Sequence, residues 1–442
     1  MSNNLSGFVQ WFRSAAPYIH AHRGKTVVLQ FDGDLIDSEE FAHLVHDIAL
    51  LNSLGVRLII VFGARPQIEK LQQQRNIESR LVRGLRLTDE ASITCVKEAV
   101  GAARIQIEAL LSMGLPNSPM EDAQLKVTSG NFITAKPIGV IDGIDLVFTG
   151  EVRRVDTETM MRKLDNNEII LIPPIGYSPT GEVFNLRATE LAMKVAINLG
   201  ADKLLYFMPG VGQSVGLQDD KGEAIHQLTQ QEAETMIECS NLDELTHLQL
   251  SCGARACNEG VKRVHFLQQN QDGSLLLELF SRDGVGTLLS AASFDQIRTA
   301  TINDVGGILK LIQPLEQEGV LVRRSREKIE ADIDDYTVLV RDGTVVACGA
   351  LHIGEDNKYA ELACLAVDEN YQESGKGEEL FLNIEEQAIK LGVEKLFILT
   401  TQTAHWFLER GFIEANVDDL PVSKQEFYNY QRNSKVLIET LM

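Results

Sequence analysis

Two short aliphatic runs near the start of the chain, residues 26–31 (TVVLQF) and 56–62 (VRLIIVF), are each closely followed by a glycine, Gly33 and Gly63. Helix-like stretches then follow, over 39–54 and 66–74. Strand–glycine–helix units in series restrict the architecture strongly. Strands joined through a helix run parallel, and the helices cover both faces of the sheet. The expected fold class is therefore α/β, with a mostly parallel sheet sandwiched by helices. Ligands of such sheets sit beyond the carboxyl ends of the strands, where Gly33 and Gly63 fall.

The pattern continues through a helix over 89–113, a β-rich stretch over 125–155, a strand over 168–173, a helix over 185–199 and a strand over 204–208. A helix near 230–239 and the segment 254–260 precede two expected strands, 263–267 and 275–279. An amphipathic helix over 5–20, ending near Pro17, leads into all this. From Ile297 the pattern restarts as a smaller, mostly antiparallel α+β domain: helix 304–313, strands 337–341 and 345–353 around the Asp342-Gly343 turn signal, and strand 360–367. A polar glycine loop over 370–377, a helix to Leu391, a strand over 395–400 and a short helix over 403–410 follow. The expected domains are 1–293, with residues 1–20 as its N-terminal helix, and 297–442, in keeping with a length of 442 residues.

Lys and Arg total 41 against 63 Asp and Glu, a net charge of −22. Such a surface repels nucleic acid and anionic lipid, so neither is expected as a partner. An anionic ligand needs a local cluster of arginines or backbone N–H groups. The six cysteines form no C-x-x-C pair, and no metal site is expected. Reduced thiols, no basic-plus-apolar leader and no apolar run long enough to span a bilayer predict a cytoplasmic, non-membrane protein.

The runs 27–33, Val61-Phe62-Gly63-Ala64-Arg65-Pro66-Gln67-Ile68, Gly84-Leu85-Arg86-Leu87-Thr88 and Val183-Phe184-Asn185, in this order, resemble the amino acid kinase family, nearest to acetylglutamate kinases. The chemistry of that family depends on cations and N–H groups around phosphoryl oxygens. Here Gln30 stands in place of the family lysine, Asp32 in place of a glycine, and Thr189 in place of an acidic residue. Ala64 and Arg65 interrupt the second glycine loop. A kinase scaffold without kinase activity is the expectation.

In the second domain, Gln372-Glu373-Ser374-Gly375-Lys376-Gly377 lies between a strand and a helix expected from Glu378. A glycine turn there aims several N–H groups and the positive end of the helix dipole at one spot, as a pyrophosphate requires. Together with Trp406-Phe407-Leu408-Glu409-Arg410-Gly411-Phe412, this order resembles the GNAT acetyltransferases. The resemblance implies acetyl-CoA as cosubstrate, with no permanently bound cofactor. Its pyrophosphate would be held by Gln372, Gly375 and Gly377 and its pantetheine arm by the strand carrying Leu365 and Val367.

A kinase-like domain ahead of a GNAT domain resembles the bacterial N-acetylglutamate synthases of arginine biosynthesis. That family implies acetyl transfer from acetyl-CoA to L-glutamate, feedback inhibition by L-arginine, and a homo-oligomer, hexameric where an N-terminal helix links kinase-type dimers. By resemblance Glu361 is the general base, Arg324 and Arg432 hold the substrate carboxylates, and Cys364 lies beside the substrate. Bidentate arginines suit carboxylates. Strict alternation puts residues 361 and 364 on opposite faces; the family's β-bulge in this strand would bring them together. Phe407 occupies the place of the tyrosine acid of many GNAT enzymes, and Thr400 is the suggested replacement. The backbone N–H at Val367 or its neighbour is the oxyanion donor.

The resemblance also implies an arginine site. Glu278 precedes Gly284-Val285-Gly286-Thr287, and His265 stands upstream. Glu278 would pair with the guanidinium, the backbone at Gly284 would approach the ligand, and His265 and Tyr18 would close the pocket.

Overall fold

The computed structural model describes residues 2–114, 118–209, 217–218, 222, 224–239, 242–290, 295–341, 343–354, 358–372, 375–425 and 434–441. It divides into two compact units, Met1–Ala292 and Ser293–Met442.

In the first unit, helix α1 (Ser2–His22) leads to β1 (Thr26–Phe31), α2 (Glu40–Ser53), β2 (Arg57–Phe62), α3 (Arg65–Gln74) and α4 (Glu90–Leu111). Then come β3 (Val127–Thr128), β4 (Ile169–Ile172), α5 (Ala188–Leu199), β5 (Lys203–Met208), β6 (Gln227–Thr229), α6 (Glu244–Asn258), β7 (Arg263–Gln268), α7 (Ser274–Phe280) and β8 (Thr287–Ser290). These strands form one sheet in the order β6-β8-β7-β5-β1-β2-β4-β3. Every pair is parallel except β7 with β8. The central strands are mostly apolar because both faces are covered; Gln30, Lys203 and His265 are among their buried polar members. Val28, Ile59 and Leu204 feed one core, and Val27, Leu29 and Ile60 the other. Two strands from the β-rich stretch, Ile133–Pro137 and Gly150–Val155, join Ile175–Tyr177 and Val183–Asn185 in a smaller sheet.

Two expectations fail here. Residues 275–279 are helix α7, not a strand. Leu-Leu-Leu-Glu-Leu is too uniform for its period to be read, but the buried set Leu275, Glu278 and Leu279 has helical spacing. The strand that follows β7 is β8. Pro17 does not end α1, which runs on to His22. Contacts on both sides of the proline, through Ala15, Tyr18 and Ile19 in the core, outweigh the lost backbone bond. The segment 254–260 proves to be mostly the end of α6.

The second unit holds β9 (Asp295–Thr299), α8 (Val305–Gln317), β10 (Tyr336–Arg341), β11 (Thr344–Ile353), β12 (Tyr359–Val367), α9 (Lys376–Lys390), β13 (Lys395–Thr400), β14 (Ile413–Ala415) and β15 (Lys435–Thr440). Its sheet order is β9-β10-β11-β12-β13-β15-β14, antiparallel except for β12 with β13. Arg341 pairs with Thr344 across the predicted hairpin; Asp342 lies outside the described residues, as do Phe294, Glu373 and Ser374. The helix after the glycine loop begins at Lys376 rather than Glu378, which places Gly377 inside its first turn.

Among the described residues, no helix is long and apolar enough to cross a membrane. Cys95, Cys252, Cys257, Cys348 and Cys364 are free and buried.

Candidate functional site

The site in the second unit is organised by one irregularity in β12. Cys348 faces Ala366 and Ala350 faces Ala363, so Gly349 alone stands opposite both Cys364 and Leu365. This is a β-bulge, and Cys364 takes the left-handed conformation at φ 54°. The extra residue shifts the side-chain phase by one. Ala360 and Leu362 before the bulge, and Leu365 and Val367 after it, pack on the core under α9. Cys364 and Ala366 pack on the opposite core with Tyr336 and Ile308. Glu361 and Cys364 thereby open on one face, against strict alternation.

Arg324 completes this cluster. Its Nη1 donates to Cys364 Sγ, and its backbone N–H donates to Glu316 Oε1 at 2.8 Å. Burial pushes the Cys364 thiol up, the Arg324 charge opposes that shift, and the Glu316 and Glu361 carboxylates add to it. Cys364 is thus a neutral, packed thiol. Neighbouring arginines differ: Arg323 and Arg326 are exposed, and Arg326 is held by Glu330 at 2.7 Å. Arg432 lies outside the described residues.

Glu361 is mostly buried and receives a hydrogen bond from Lys424 Nζ to Oε2. It also marks where β12 and β13 part. Their ladder covers Tyr359↔Lys395, Ala360↔Leu396 and Glu361↔Phe397, yet β12 continues to Val367 and β13 to Thr400. Beyond Glu361 the facing edges of the two strands no longer pair with each other, the kind of edge to which an extended ligand adds as a strand would.

The loop after β12 ends at Gly375, which caps α9 at φ 74°. A Cβ on Gly377 would stand 3.2 Å from Val367 Cγ2, so the first turn of α9 lies tight against the end of β12. Gln372 is exposed, with Nε2 3.5 Å from the Val367 carbonyl oxygen. Lys376 is paired with Asp295 at 2.6 Å and Glu379 at 2.9 Å. Among the described residues, no hydrogen bond joins Thr400 to the Glu361 cluster. Its hydroxyl contacts that of Thr403 at 2.9 Å and accepts from the Thr403 N–H at 3.1 Å, fixing the turn after β13.

In the first unit a cavity of about 590 Å³ opens at the carboxyl ends of β1 and β2. Phe31 and Phe62 end in register, which sets Asp32 beside Gly63. A Cβ on Gly63 would come within 2.6 Å of Asp32 Oδ1. Gln30 is fully buried and donates to that oxygen at 3.2 Å. Burial pushes the Asp32 carboxyl up to about 6, against the pull of the Gln30 hydrogen bond. Arg65 and Arg86 line the cavity but both bind Glu69, at 3.0 and 2.8 Å. A phosphoryl group would meet Asp32 and Asp34 here and, among the described residues, no lysine.

Elsewhere in the first unit, Glu278, His265 and Gly284 come together. Glu278 Oε1 is 2.5 Å from His265 Nδ1, and Oε2 accepts the Val285 and Gly286 N–H groups at 2.7 and 2.8 Å. Lys203 Nζ lies 3.2 Å from His265 Nε2. Burial and the Lys203 charge hold the imidazole well below its ordinary value, so it is neutral. Its Nδ1–H then donates to Glu278 and its Nε2 accepts from Lys203. Burial opposes ionisation of Glu278, but the His265 and backbone hydrogen bonds keep it a carboxylate. Gly284 has φ 66°, and a Cβ there would sit 2.4 Å from Glu278 Oε2. Tyr18 packs partly buried against the same core, while His22 Nε2–H donates to the Leu279 carbonyl at 2.6 Å.

Residues 25–266 match the amino acid kinase family and residues 307–412 the acetyltransferase (GNAT) family. An amino-acid acetyltransferase of Azotobacter vinelandii is 49% identical over 437 residues, covering 99% of this chain and 100% of the relative. The chain belongs to the amino-acid acetyltransferase family. It is an acyltransferase of GNAT type with an amino acid kinase-like domain ahead of it. The Pseudomonas putida amino-acid acetyltransferase is 48% identical with the same coverage. The structure of N-acetylglutamate synthase from Neisseria gonorrhoeae complexed with coenzyme A and L-arginine is 38% identical, covers 98% of this chain and 99% of that one, and has a TM-score of 0.88. The same enzyme complexed with coenzyme A and N-acetyl-glutamate has a TM-score of 0.62.

Lys424, His22 and Lys203 belong to these clusters without having been legible in the sequence. Lys424 sits in a polar stretch with no motif around it, and His22 and Lys203 become neighbours of His265 only through folding.

Proposed function

We propose that this acyltransferase moves the acetyl group of acetyl-CoA to the α-nitrogen of L-glutamate, giving N-acetyl-L-glutamate and CoA, under inhibition by L-arginine. The observation that carries this reading is the convergence of Glu361, Cys364 and Arg324 on one face of the bulged strand, where that strand parts from β13.

The pantetheine arm lies along the free edge of β12 at Leu365 and Val367, and the pyrophosphate sits on the N-terminal amides of α9 with Gln372, Gly375 and Gly377. Arg324 and Arg432 hold the two carboxylates of glutamate. The α-ammonium gives a proton to Glu361, directly or through a water. The freed lone pair attacks the thioester carbon, and the oxyanion is met by the backbone N–H at Val367 or its neighbour. The C–S bond then breaks, and the nitrogen loses its second proton. One proton ends on the CoA sulfur and one in solvent. Thr400 is the candidate acid for the sulfur; its hydroxyl already serves the Thr403 turn, so the proton can equally come from water, since thiols titrate near about 8.5.

For L-arginine, the cluster around Glu278 supports the site. Three of roughly four acceptor positions of that carboxylate are used internally. The remaining one can take a guanidinium, with backbone from the Gly284 turn, His265 and Tyr18 around it. A homo-oligomer, hexameric as in arginine-sensitive relatives, and a cytoplasmic location belong to the same proposal.

The test is a set of initial rates of CoA release with a panel of amino acids. L-Glutamate is expected to give the highest kcat/KM, with L-aspartate and L-glutamine lower because one carboxylate is misplaced or missing. A higher kcat/KM with a monocarboxylic amino acid would contradict the assignment.

A further inference from the structure

The ion pair between Lys424 and Glu361 has no place in the acetyl transfer just described, and it occupies the atom that the reaction needs. Lys424 lies in a four-residue helix, Val422–Gln425, far from Glu361 in sequence. Its Nζ donates to Glu361 Oε2. The two partners are unequal: the Glu361 side chain is 14% exposed and that of Lys424 41% exposed. The carboxylate is the fixed, buried member of the pair, and the ammonium is the solvated one on a flexible stem. No other cation among the described residues bonds to Glu361.

We propose that Lys424 is a stand-in for the substrate's ammonium group, holding the Glu361 carboxylate while no amino acid is bound and giving way when one enters. This rests on the reading of Glu361 as the base for L-glutamate. An α-ammonium cannot hand its proton to a carboxylate that a second ammonium already covers. Two positive charges would share one negative charge at contact distance, beside the further positive charge of Arg324. One cation must leave, and the exposed lysine is the one whose departure costs least, because it returns to water.

The exchange gives the site a direction. The incoming amino acid brings a cation that contests Glu361. The product does not, because its nitrogen is a neutral amide. Once Glu361 has passed its proton to solvent, Lys424 re-forms the pair unopposed. The same carboxylate thus admits an amine and has no attraction for the acetylated amine. Lys424 acts through Glu361 and is a positioning residue in this sense.

The proposal is tested on the full chain by CoA-release kinetics at saturating acetyl-CoA, for wild type, Lys424→Met, Lys424→Gln and Lys424→Arg. N-acetyl-L-glutamate is added as product inhibitor. Both neutral variants should show a KM for L-glutamate lower by about three- to fivefold, the scale of a part-exposed ion pair. Their inhibition constant for N-acetyl-L-glutamate should not fall in parallel, and Lys424→Arg should restore the wild-type KM. A packing role alone would not lower KM, nor separate substrate from product. An unchanged or raised KM in both neutral variants, with the KM for acetyl-CoA retained, overturns the proposal and makes Lys424 a support for the base. If the wild-type chain releases no CoA with L-glutamate, the substrate reading falls and this proposal with it. Wild-type turnover with an unshifted KM overturns this proposal alone.

Discussion

Glu278 and His265 share a buried hydrogen bond, Oε1 to Nδ1 at 2.5 Å, in which the imidazole is the neutral partner and Lys203 sits on its far nitrogen. The carboxylate also accepts the Val285 and Gly286 N–H groups and so holds the turn at Gly284. Gly284→Ala would push a methyl group to 2.4 Å from Glu278 Oε2 at a left-handed φ of 66°. Glu278→Ala removes the carboxylate altogether. Both variants should raise the arginine concentration for half-inhibition by about tenfold or more, as for a lost charge-assisted bond. Inhibition curves are measured relative to each variant's own turnover. Curves that superimpose on wild type would place the arginine site elsewhere.

Glu361→Gln keeps the shape of the side chain but cannot accept the proton. Its kcat should fall by roughly 10²-fold or more, the usual scale for loss of a general base. Binding of acetyl-CoA, followed by titration, should stay close to wild type. A kcat and pH–rate profile like those of wild type would remove Glu361 from the mechanism.

The Arg324 guanidinium has no carboxylate partner among the described residues, only Cys364 Sγ, so its charge is available to the substrate. Arg324→Ala and Arg432→Ala should each raise the KM for L-glutamate by roughly 10- to 100-fold, the equivalent of a hydrogen bond to a charged group. The KM for acetyl-CoA should move little. Equal changes for both substrates would point to damage to the fold.

Asp32 is a carboxyl raised to about 6 by burial. In the unfolded chain it titrates near 3.8. Between these values the folded state binds the proton more tightly, so stability is lost as pH rises from about 4 to about 6 and the loss is complete above that. Asparagine carries no such loss. Asp32→Asn should therefore melt higher than wild type at pH 8, by roughly 1–3 kcal/mol of stability, and nearly equally at pH 4. A melting temperature equal to that of wild type at pH 8 would mean that Asp32 is better solvated than its surroundings imply.

The parallel sheet was readable because its strands are uniform aliphatic runs punctuated by glycine, as at Phe62-Gly63. Helix α7 was not, because Leu275-Leu276-Leu277 satisfies any period and the left-handed Gly273 that starts it has no distinct signature. The bulge at Cys364 could be named only through family resemblance, because the residues around it read as ordinary alternation. The glycine loop was legible as a strand-to-helix turn, but the entry of Gly377 into the helix was not, since glycine is a poor helix former. Lys424 could not be found at all. Its meaning lies in a contact with Glu361 that only the tertiary structure creates, whereas Arg324 announced itself as part of a basic cluster in an acidic chain.

The central claim is the identity of nucleophile and acceptor, and an end-point assay addresses it most directly. The chain is incubated with acetyl-CoA and L-glutamate, and free CoA and N-acetyl-L-glutamate are both quantified. Equimolar amounts, both abolished together when L-glutamate is omitted, are the predicted result. CoA released without an acetylated amino acid, or no release at all, would contradict it.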